Sequence, residues 1–383
     1  MYKPKTIIRL FKPSVGSEEI SGIKKVFNKS WLGYGSEVKI FEKKFSKYIG
    51  AKYSVALNSC TAALHIALAV NKFKPKKKVL VPSITFSASA AAALYCNLTP
   101  VFVDVEKDSL NLDFNDLKKK YTKDCVAVIA VHFGGHPCSM EKIVPWAKKK
   151  RLIVVEDCAH TCGGYYKGKK LGTWGDFGCF SFEDKKTITT GDGGMICTSN
   201  KKIVSLIRSL SFHGWSNDPY TRHLYGPGKK HWYYEMENLG FKYNMNNLLA
   251  AIGIQQLKKL NMLNRKRTAI LRKYLKVIKN CKNFKTAYPY KLKNSCYWLF
   301  SLRTKYRDEF ISYCKNKKIS SGVHLMPLPL HPLYKKYNKN VKNSLKIWKE
   351  LVTLPCFPDM KSQEISYIIQ AIKEFDSGIK KND

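Results

Sequence analysis

Two adjacent lysines, Lys185 and Lys186, follow an apolar run at Gly178–Phe182 and precede a Thr-Ile-Thr-Thr-Gly-Asp-Gly-Gly turn at 187–194. A lysine at such a strand end can form an imine with a carbonyl compound, provided that partial burial lowers its pKa and frees the amine to attack. A charged turn is the simpler reading, and spacing alone does not choose between the two lysines. Ser181 ends the same run, where a hydroxyl beside backbone N–H groups can hold a phosphate. Asp157 follows the apolar stretch Leu152–Val155, in the segment Val-Val-Glu-Asp-Cys-Ala-His at 154–160. A carboxylate there is costly unless it meets a cation or donors. It could keep a ligand's ring nitrogen protonated, or it could cap a helix. His160, three residues on, would face the same side of a turn. The run Asn-Ser-Cys-Thr-Ala-Ala at 58–63 opens a helical pattern. Ser59 or Thr61 is a natural cap, and N–H groups of a first helical turn form an anion site.

These residues need elements that gather strand ends. Short β-branched and aromatic runs predict buried strands at Lys78–Pro82, Val101–Val105, Val126–Phe133, Leu152–Glu156, Gly178–Phe182 and Met195–Thr198. Helical patterns lie between them at Thr61–Val70, Ala88–Tyr95 and Met140–Lys150. Such alternation predicts a mostly parallel sheet covered on both faces, with ligands at the carboxyl ends of its strands. A second pattern begins near Asn246. Residues Leu248–Lys279 carry apolar positions at helical spacing, as one or two long helices leading to a smaller C-terminal unit. That unit has a strand-like Cys296–Leu302, a Pro-rich turn at Met326–Pro332 and a terminal helix at Gln363–Phe375. The fold class is α/β with two lobes.

Other chemistries lack their motifs. There is no GxGxxG after an early strand, Gly226-Pro-Gly228 being too short a match, and no P-loop, HExxH or GxSxG. The nine histidines show no metal-ligand spacing, and the twelve cysteines form no CxxC pair, Cys158 and Cys162 being closest. No metal site is expected. Most cysteines sit in apolar runs, as in a reduced, cytoplasmic protein. The N-terminus lacks the apolar stretch of a signal peptide, and Ser87–Cys96 is too short to cross a membrane. A net charge of +40 suggests nucleic acid, but only nine of the 68 cations are Arg, the side chain that forks onto phosphate or guanine. The lysines are spread along the chain, as expected of a general lysine bias, and no nucleic-acid partner is expected.

Taken in order, several segments resemble the fold-type I, pyridoxal-phosphate-dependent sugar aminotransferases of the DegT/StrS type. They are FKPSVGSEEISGIKKVFNKSWLGYGSEVKIFEKKFSKYIGAKYSVALNSCTAALHIAL at 11–68, VPSITFSASA at 81–90, VHFGGHPCSM at 131–140, VVEDCAH at 154–160 and GDFGCFSFEDKKTITTGDGGM at 175–195. WYYEMENLGFKYNMNNLLAAIGIQQL at 232–257, GVHLMPLPLHPLY at 322–334 and LPCFPDM at 354–360 follow.

The resemblance implies a large, mostly parallel mixed-sheet domain flanked by helices over residues 1–250, and a smaller C-terminal α/β lobe over 251–383. In the family's SFxxxK pattern the imine-forming lysine falls on Lys186. Related enzymes that remove a sugar 3-hydroxyl carry His there. Pyridoxal 5′-phosphate (PLP) would be held as an internal aldimine on Lys186, with pyridoxamine phosphate as the intermediate carrier. Asp157 would face the pyridine nitrogen, His160 the ring hydroxyl, and Phe86 the ring face. Thr61, Ala62 and Ser181 would cradle the phosphate. Lys242 and Asn244 would reach a neighbouring subunit's site, implying a homodimer, and His324 would lie near the bound sugar. Two departures stand out. Cys60 replaces a common Gly, and Gly240-Phe-Lys242-Tyr-Asn244 replaces GxNxR, which leaves open which of Lys242 and Asn244 meets phosphate. The implied reaction moves the amino group of L-glutamate to C4 of a nucleotide-linked 4-keto-6-deoxyhexose. Amination at C3 of a 3-keto sugar, a PLP-dependent sugar dehydratase and a non-catalytic PLP-binding protein are the alternatives.

Overall fold

A computed structural model describes residues 2–216, 235–293, 296–337 and 340–379. Gly226-Pro-Gly228 and the first three residues of the 232–257 motif lie outside them. The strands are β1 (Tyr53–Leu57), β2 (Lys78–Pro82), β3 (Thr99–Val103), β4 (Cys125–Val131), β5 (Ile153–Asp157), the ribbon β6 (Tyr165–Tyr166) and β7 (Lys169–Lys170), β8 (Phe177–Ser181), β9 (Gly194–Thr198), β10 (Lys285–Thr286), β11 (Phe300–Arg303) and β12 (Leu351–Leu354). The principal helices are α1 (Ser17–Asn28), α2 (Ser36–Ile49), α3 (Cys60–Ala69), α4 (Ser87–Tyr95), α5 (Phe114–Lys120), α6 (Met140–Lys149), α7 (Val204–Ser211), α8 (Asn247–Ile278), α9 (Arg307–Asn316), α10 (Lys342–Trp348) and α11 (Ser362–Gly378).

Seven strands form one sheet in the order β1-β9-β8-β5-β4-β2-β3. Only β9 runs antiparallel to its neighbours. Side chains of a strand alternate between faces, and the sheet uses this throughout. Val79, Val81, Ile129, Val131, Val155 and Cys179 pack with α3 and α4. Leu80, Val128, Ala130 and Val154 pack on the opposite side with α6, and Phe180 does so with α2 and α8. Both faces being covered, the strands read as apolar runs, as parallel strands do.

The alternation separates two neighbouring acids at the end of the central strand β5. Glu156 turns away from α3 and is fully buried. Its Oε1 accepts from the Trp174 and Gly175 amides at 2.6 and 2.8 Å, and Oε2 from the Gly172 amide at 2.9 Å. His132 Nε2 lies 3.0 Å from Oε2, and His132 Nδ1 accepts from the Cys138 amide at 3.1 Å. The imidazole therefore donates to Glu156 through Nε2. Asp157 turns to the α3–α4 side.

Two helices that periodicity did not reveal, α1 and α2, pack on α8. The N-terminal turn of α2 has no side-chain cap of its own. Asn247, in the first turn of α8, supplies one: its Oδ1 accepts from the Glu37 and Val38 amides at 3.1 and 3.3 Å, and its Nδ2 donates to the Trp31 carbonyl at 2.9 Å. The 247–278 pattern is one helix of 32 residues, started by Asn246. The C-terminal sheet, β10-β11-β12, is antiparallel. Ile8 pairs with Ile319 beside it, through bonds to Lys318 and Ser320. We propose that the division between 1–250 and 251–383 holds for the two lobes; it falls in the first turn of α8.

Strand bounds differ most at two places. β3 starts and ends two residues before the expected Val101–Val105. The expected strand Cys296–Leu302 shortens to β11, because the Trp298 and Leu299 amides bond to the Gly134 carbonyl instead of to a neighbouring strand.

Glu156 lacks any access to water, so its donors cannot be resatisfied after truncation. Glu156→Ala is expected to lower the unfolding free energy by about 3–5 kcal/mol, read as a shifted urea midpoint.

Candidate active site

The carboxyl ends of β5 and β8, the start of α3 and the segment around Trp298 enclose a cavity of about 560 Å³. It receives Lys186, Asp157, His160, Ser181, Thr61, Phe86 and His324, so most of the expected site residues converge. Lys186 is half-buried and Lys185 is exposed. Both line the cavity, but the buried position of Lys186 distinguishes them. Burial pulls the Lys186 amine below the usual lysine range and Lys185 adds repulsion, while Glu183, Asp157 and Cys60 oppose the shift. Its Nζ sits 3.7 Å from the centroid of the Trp298 ring.

Asp157 is not a helix cap; no helix follows β5 directly. Its Oδ2 accepts from the Ser89 hydroxyl at 2.8 Å and its Oδ1 from the Ala159 amide at 3.1 Å. Burial raises its pKa, and the two hydrogen bonds with the charge of Lys186 pull it back. The carboxylate is thus held in place with fewer donors than Glu156 has, and it faces the cavity.

His160 is held through one edge of its ring. Its Nδ1 accepts from the Gly134 amide at 3.2 Å, which places the proton on Nε2. Burial, reinforced by Lys186 and His324, keeps the imidazole well below its ordinary pKa. Gly134 has φ +60°, and a Cβ there would lie 2.1 Å from the Tyr288 hydroxyl oxygen. Only glycine fits where the chain turns back to reach His160.

The phosphate cradle is reached only in part. Ser59 caps α3 by accepting from the Ala62 amide at 3.1 Å, so this N–H is already engaged. Ala62 is buried in the core and does not line the cavity. Cys60 and Thr61 stand in its place at the cavity wall. Gly194 presses on this turn: a Cβ would lie 2.3 Å from the Ser59 carbonyl carbon. The Ser181 hydroxyl accepts from the Glu183 amide at 3.3 Å. Phe86 starts α4 and lies exposed at the rim.

Lys242 and Asn244 do not line this chain's cavity. The Lys242 ammonium lies over Phe212 at 4.1 Å, and its carbonyl accepts from Asn58 at 3.1 Å. Asn244 bridges to Leu57, and its buried Oδ1 has no hydrogen-bond partner among the described residues. His324 Nδ1 lies 3.1 Å from Thr353 Oγ1, and burial lowers its pKa to about 4.

Sequence reasoning passed over Trp298, Phe11 and Asp192, which also line the cavity. Trp298 sat in the expected strand Cys296–Leu302, where nothing singled it out. Phe11 lies in an N-terminal stretch with no periodicity, where only its place within the family-like segment 11–68 offered a signal. One group of possible metal ligands exists among the described residues, His132, Glu156 and Cys158, with ligand atoms within 4.8 Å of one another. Its imidazole nitrogens and carboxylate oxygens are taken by the hydrogen bonds given above.

Comparison with known proteins agrees with this architecture. Residues 13–373 match the model of the DegT/DnrJ/EryC1/StrS aminotransferase family. The chain is 34% identical to the spore coat polysaccharide biosynthesis protein SpsC of Bacillus subtilis over 377 residues, 96% of each chain. It is 32% identical to the GDP-perosamine synthase of Escherichia coli O157:H7, over 96% of this chain and 98% of that one. A Streptococcus pneumoniae protein, Spr1654, described as a sugar aminotransferase and solved in its PMP form, superposes with a TM-score of 0.90 at 26% identity, over 97% and 99% of the two chains. Fold and site together define a fold-type I aminotransferase. The chain belongs to the DegT/DnrJ/EryC1/StrS family.

Burial also governs the acid response. His65, His136 and His324 each have a folded pKa near 4, against about 6.5 when exposed. As pH falls through 6.5 the unfolded chain takes up protons that the folded chain refuses, so stability falls between about pH 6.5 and 4. Urea midpoints at pH 7 and pH 5 will show the loss, and His136→Leu will flatten it.

Proposed function

We propose that this chain carries PLP on Lys186 and transfers an amino group from L-glutamate to a nucleotide-linked 4-keto-6-deoxyhexose. The observation that carries the reading is the convergence of a half-buried amine at Lys186 and a buried, incompletely satisfied carboxylate at Asp157 on one cavity. The residues present fit the cofactor: an amine for its aldehyde, a carboxylate for its ring nitrogen, and the α3 turn with Ser181 for its phosphate. When bound, PLP supplies an electron sink for the carbon that bears the amino group.

The chain's own groups do the rest. Once the substrate's amine has displaced it, Lys186 Nζ, with its pKa lowered by burial, would take the proton from the amine-bearing substrate carbon as base and deliver it as acid to the cofactor's former aldehyde carbon. Asp157, oriented by Ser89 and Ala159, would hold a proton on the cofactor's ring nitrogen. His160 would offer Nε2–H to its ring hydroxyl, and Phe86 would pack against the ring. His324, uncharged at neutral pH, lines the part of the cavity open to a sugar. The kinship with a GDP-perosamine synthase supports a sugar nucleotide as acceptor.

The reading includes a homodimer. Lys242 and Asn244 lie outside this chain's cavity, and the exposure of Lys242 supports a role for them in a neighbouring subunit's site. It also places the enzyme in the cytoplasm, which the twelve free cysteines support. No described helix is long and apolar enough to cross a membrane.

The purified protein with PLP is expected to be yellow, to lose that colour with glutamate, and to aminate a 4-keto sugar nucleotide in a UDP, GDP and dTDP panel read by product mass. Conversion only of 3-keto sugars would move the amination to C3. Lys186→Ala is expected to abolish turnover, and a normal rate would overturn the reading. Asp157→Asn should keep the fold and lower kcat by about 10²–10³-fold. For the shared site, mixed dimers of a Lys186→Ala chain and an Asn244→Ala chain should regain activity that neither homodimer has.

A further inference from the structure

Trp298 makes three contacts with groups of the site at once. Its ring face lies 3.7 Å from Lys186 Nζ. Its Nε1–H donates to the Lys185 carbonyl at 2.6 Å, which fixes the backbone from which Lys186 springs. Its ring also packs on His160, with centroids 4.4 Å apart and planes at 31°. Behind it, Phe11 stacks at 5.1 Å and 12°, and its own amide is tied to Gly134. The indole is buried, lines the cavity and is held by these contacts.

We propose that Trp298 is a positioning residue that holds the protonated form of the Lys186 amine against its ring face and so sets the amine's proton affinity. The inference rests on the reading of Lys186 as the reactive amine. An ammonium over an indole face is attracted by the ring quadrupole, most strongly where water is excluded. The face therefore opposes the effect of burial, which favours the free amine. It does so without a lone pair that could accept the proton. A carboxylate in the same position would stabilise the ammonium but also compete for its proton. The indole instead leaves every N–H of the ammonium available to the reacting centre.

The other groups around the amine make this division sharper. On its own loop stand Glu183, which raises its pKa, and Lys185, which lowers it. Asp157 at the end of β5 and Cys60 on α3 also favour the charged form. His160, on the turn after β5, and His324, on the C-terminal segment, both have pKa values lowered by Lys186 among their causes. Asp192 lines the cavity from the 187–194 turn. From α8, Arg267 donates to the Lys186 carbonyl at 3.4 Å. Among the described residues none forms a hydrogen bond with Nζ, and the indole is the structured contact at this nitrogen.

The test measures the titration of Lys186 in the full-length, cofactor-free protein, by competitive labelling with acetic anhydride across pH and peptide mass spectrometry. Trp298→Leu and Trp298→Phe both lose the indole N–H, so a difference between them reports the ring face alone. Trp298→Leu is expected to lower the midpoint by about one pH unit, a tenfold change in the fraction of free amine at a fixed lower pH, and Trp298→Phe by clearly less. Equal midpoints for the wild type and Trp298→Leu, or for Leu and Phe, would overturn the proposal. If the Leu variant does not fold, the wild type is compared with Trp298→Phe and Trp298→Tyr, and midpoints that do not fall from Trp to the weaker rings would overturn it. Failure of the Lys186 reading shows separately, as wild-type protein that stays colourless with PLP.

Discussion

The structure turns on the end of β5, where two carboxylates stand side by side and cannot share a fate. Strand geometry sends them to opposite faces of the central strand. Glu156 is placed among backbone amides and a histidine that use all of its capacity, and it fastens the 172–175 turn and the segment after β4 to the sheet. Asp157 receives a hydroxyl and one amide, and its remaining capacity opens onto the cavity. A buried charge needs partners. The fold surrounds one with donors and leaves the other facing the cavity, so the same physical demand produces a structural anchor and a cavity-lining acid one residue apart.

Everything around Asp157 is fixed by elements with other duties. Ser89 belongs to α4, and the turn that carries Ser59 is held against Gly194 of β9. The Gly134 carbonyl binds the Trp298 and Leu299 amides while the Gly134 amide binds His160. One glycine thus joins the large sheet, the ligand face and the C-terminal unit. Such multiple use explains why the site needs residues from several separated segments, and why no short motif contains it.

Much of this was legible in the sequence. The parallel strands announced themselves because strands buried on both faces are continuous apolar runs, and the polar residues at their carboxyl ends became site candidates for that reason. Asp157 and the Lys185-Lys186 pair followed from such placement, and the family register separated the two lysines before burial did. What stayed hidden depends on distant partners. The start of α2 is capped by Asn247, some 210 positions away, so no local signal marked it. The resemblance put Ala62 in a phosphate cradle, and order along the chain gave no sign that the Ser59 side chain accepts from its amide. Trp298 was not singled out because an aromatic in an apolar run gives no sign of which face it turns to a cavity.

The early pairing of Ile8 with Ile319 has a mechanical consequence. The C-terminal unit is joined to the large sheet by α8 and, separately, by the N-terminal stretch that passes Leu10 and Phe11 along the cavity. The cavity wall that carries Trp298 is also tied to the large sheet through the Gly134 carbonyl, so it is braced from three separate parts of the chain. Removing the first dozen residues would take away one brace and, with Phe11, part of the wall itself.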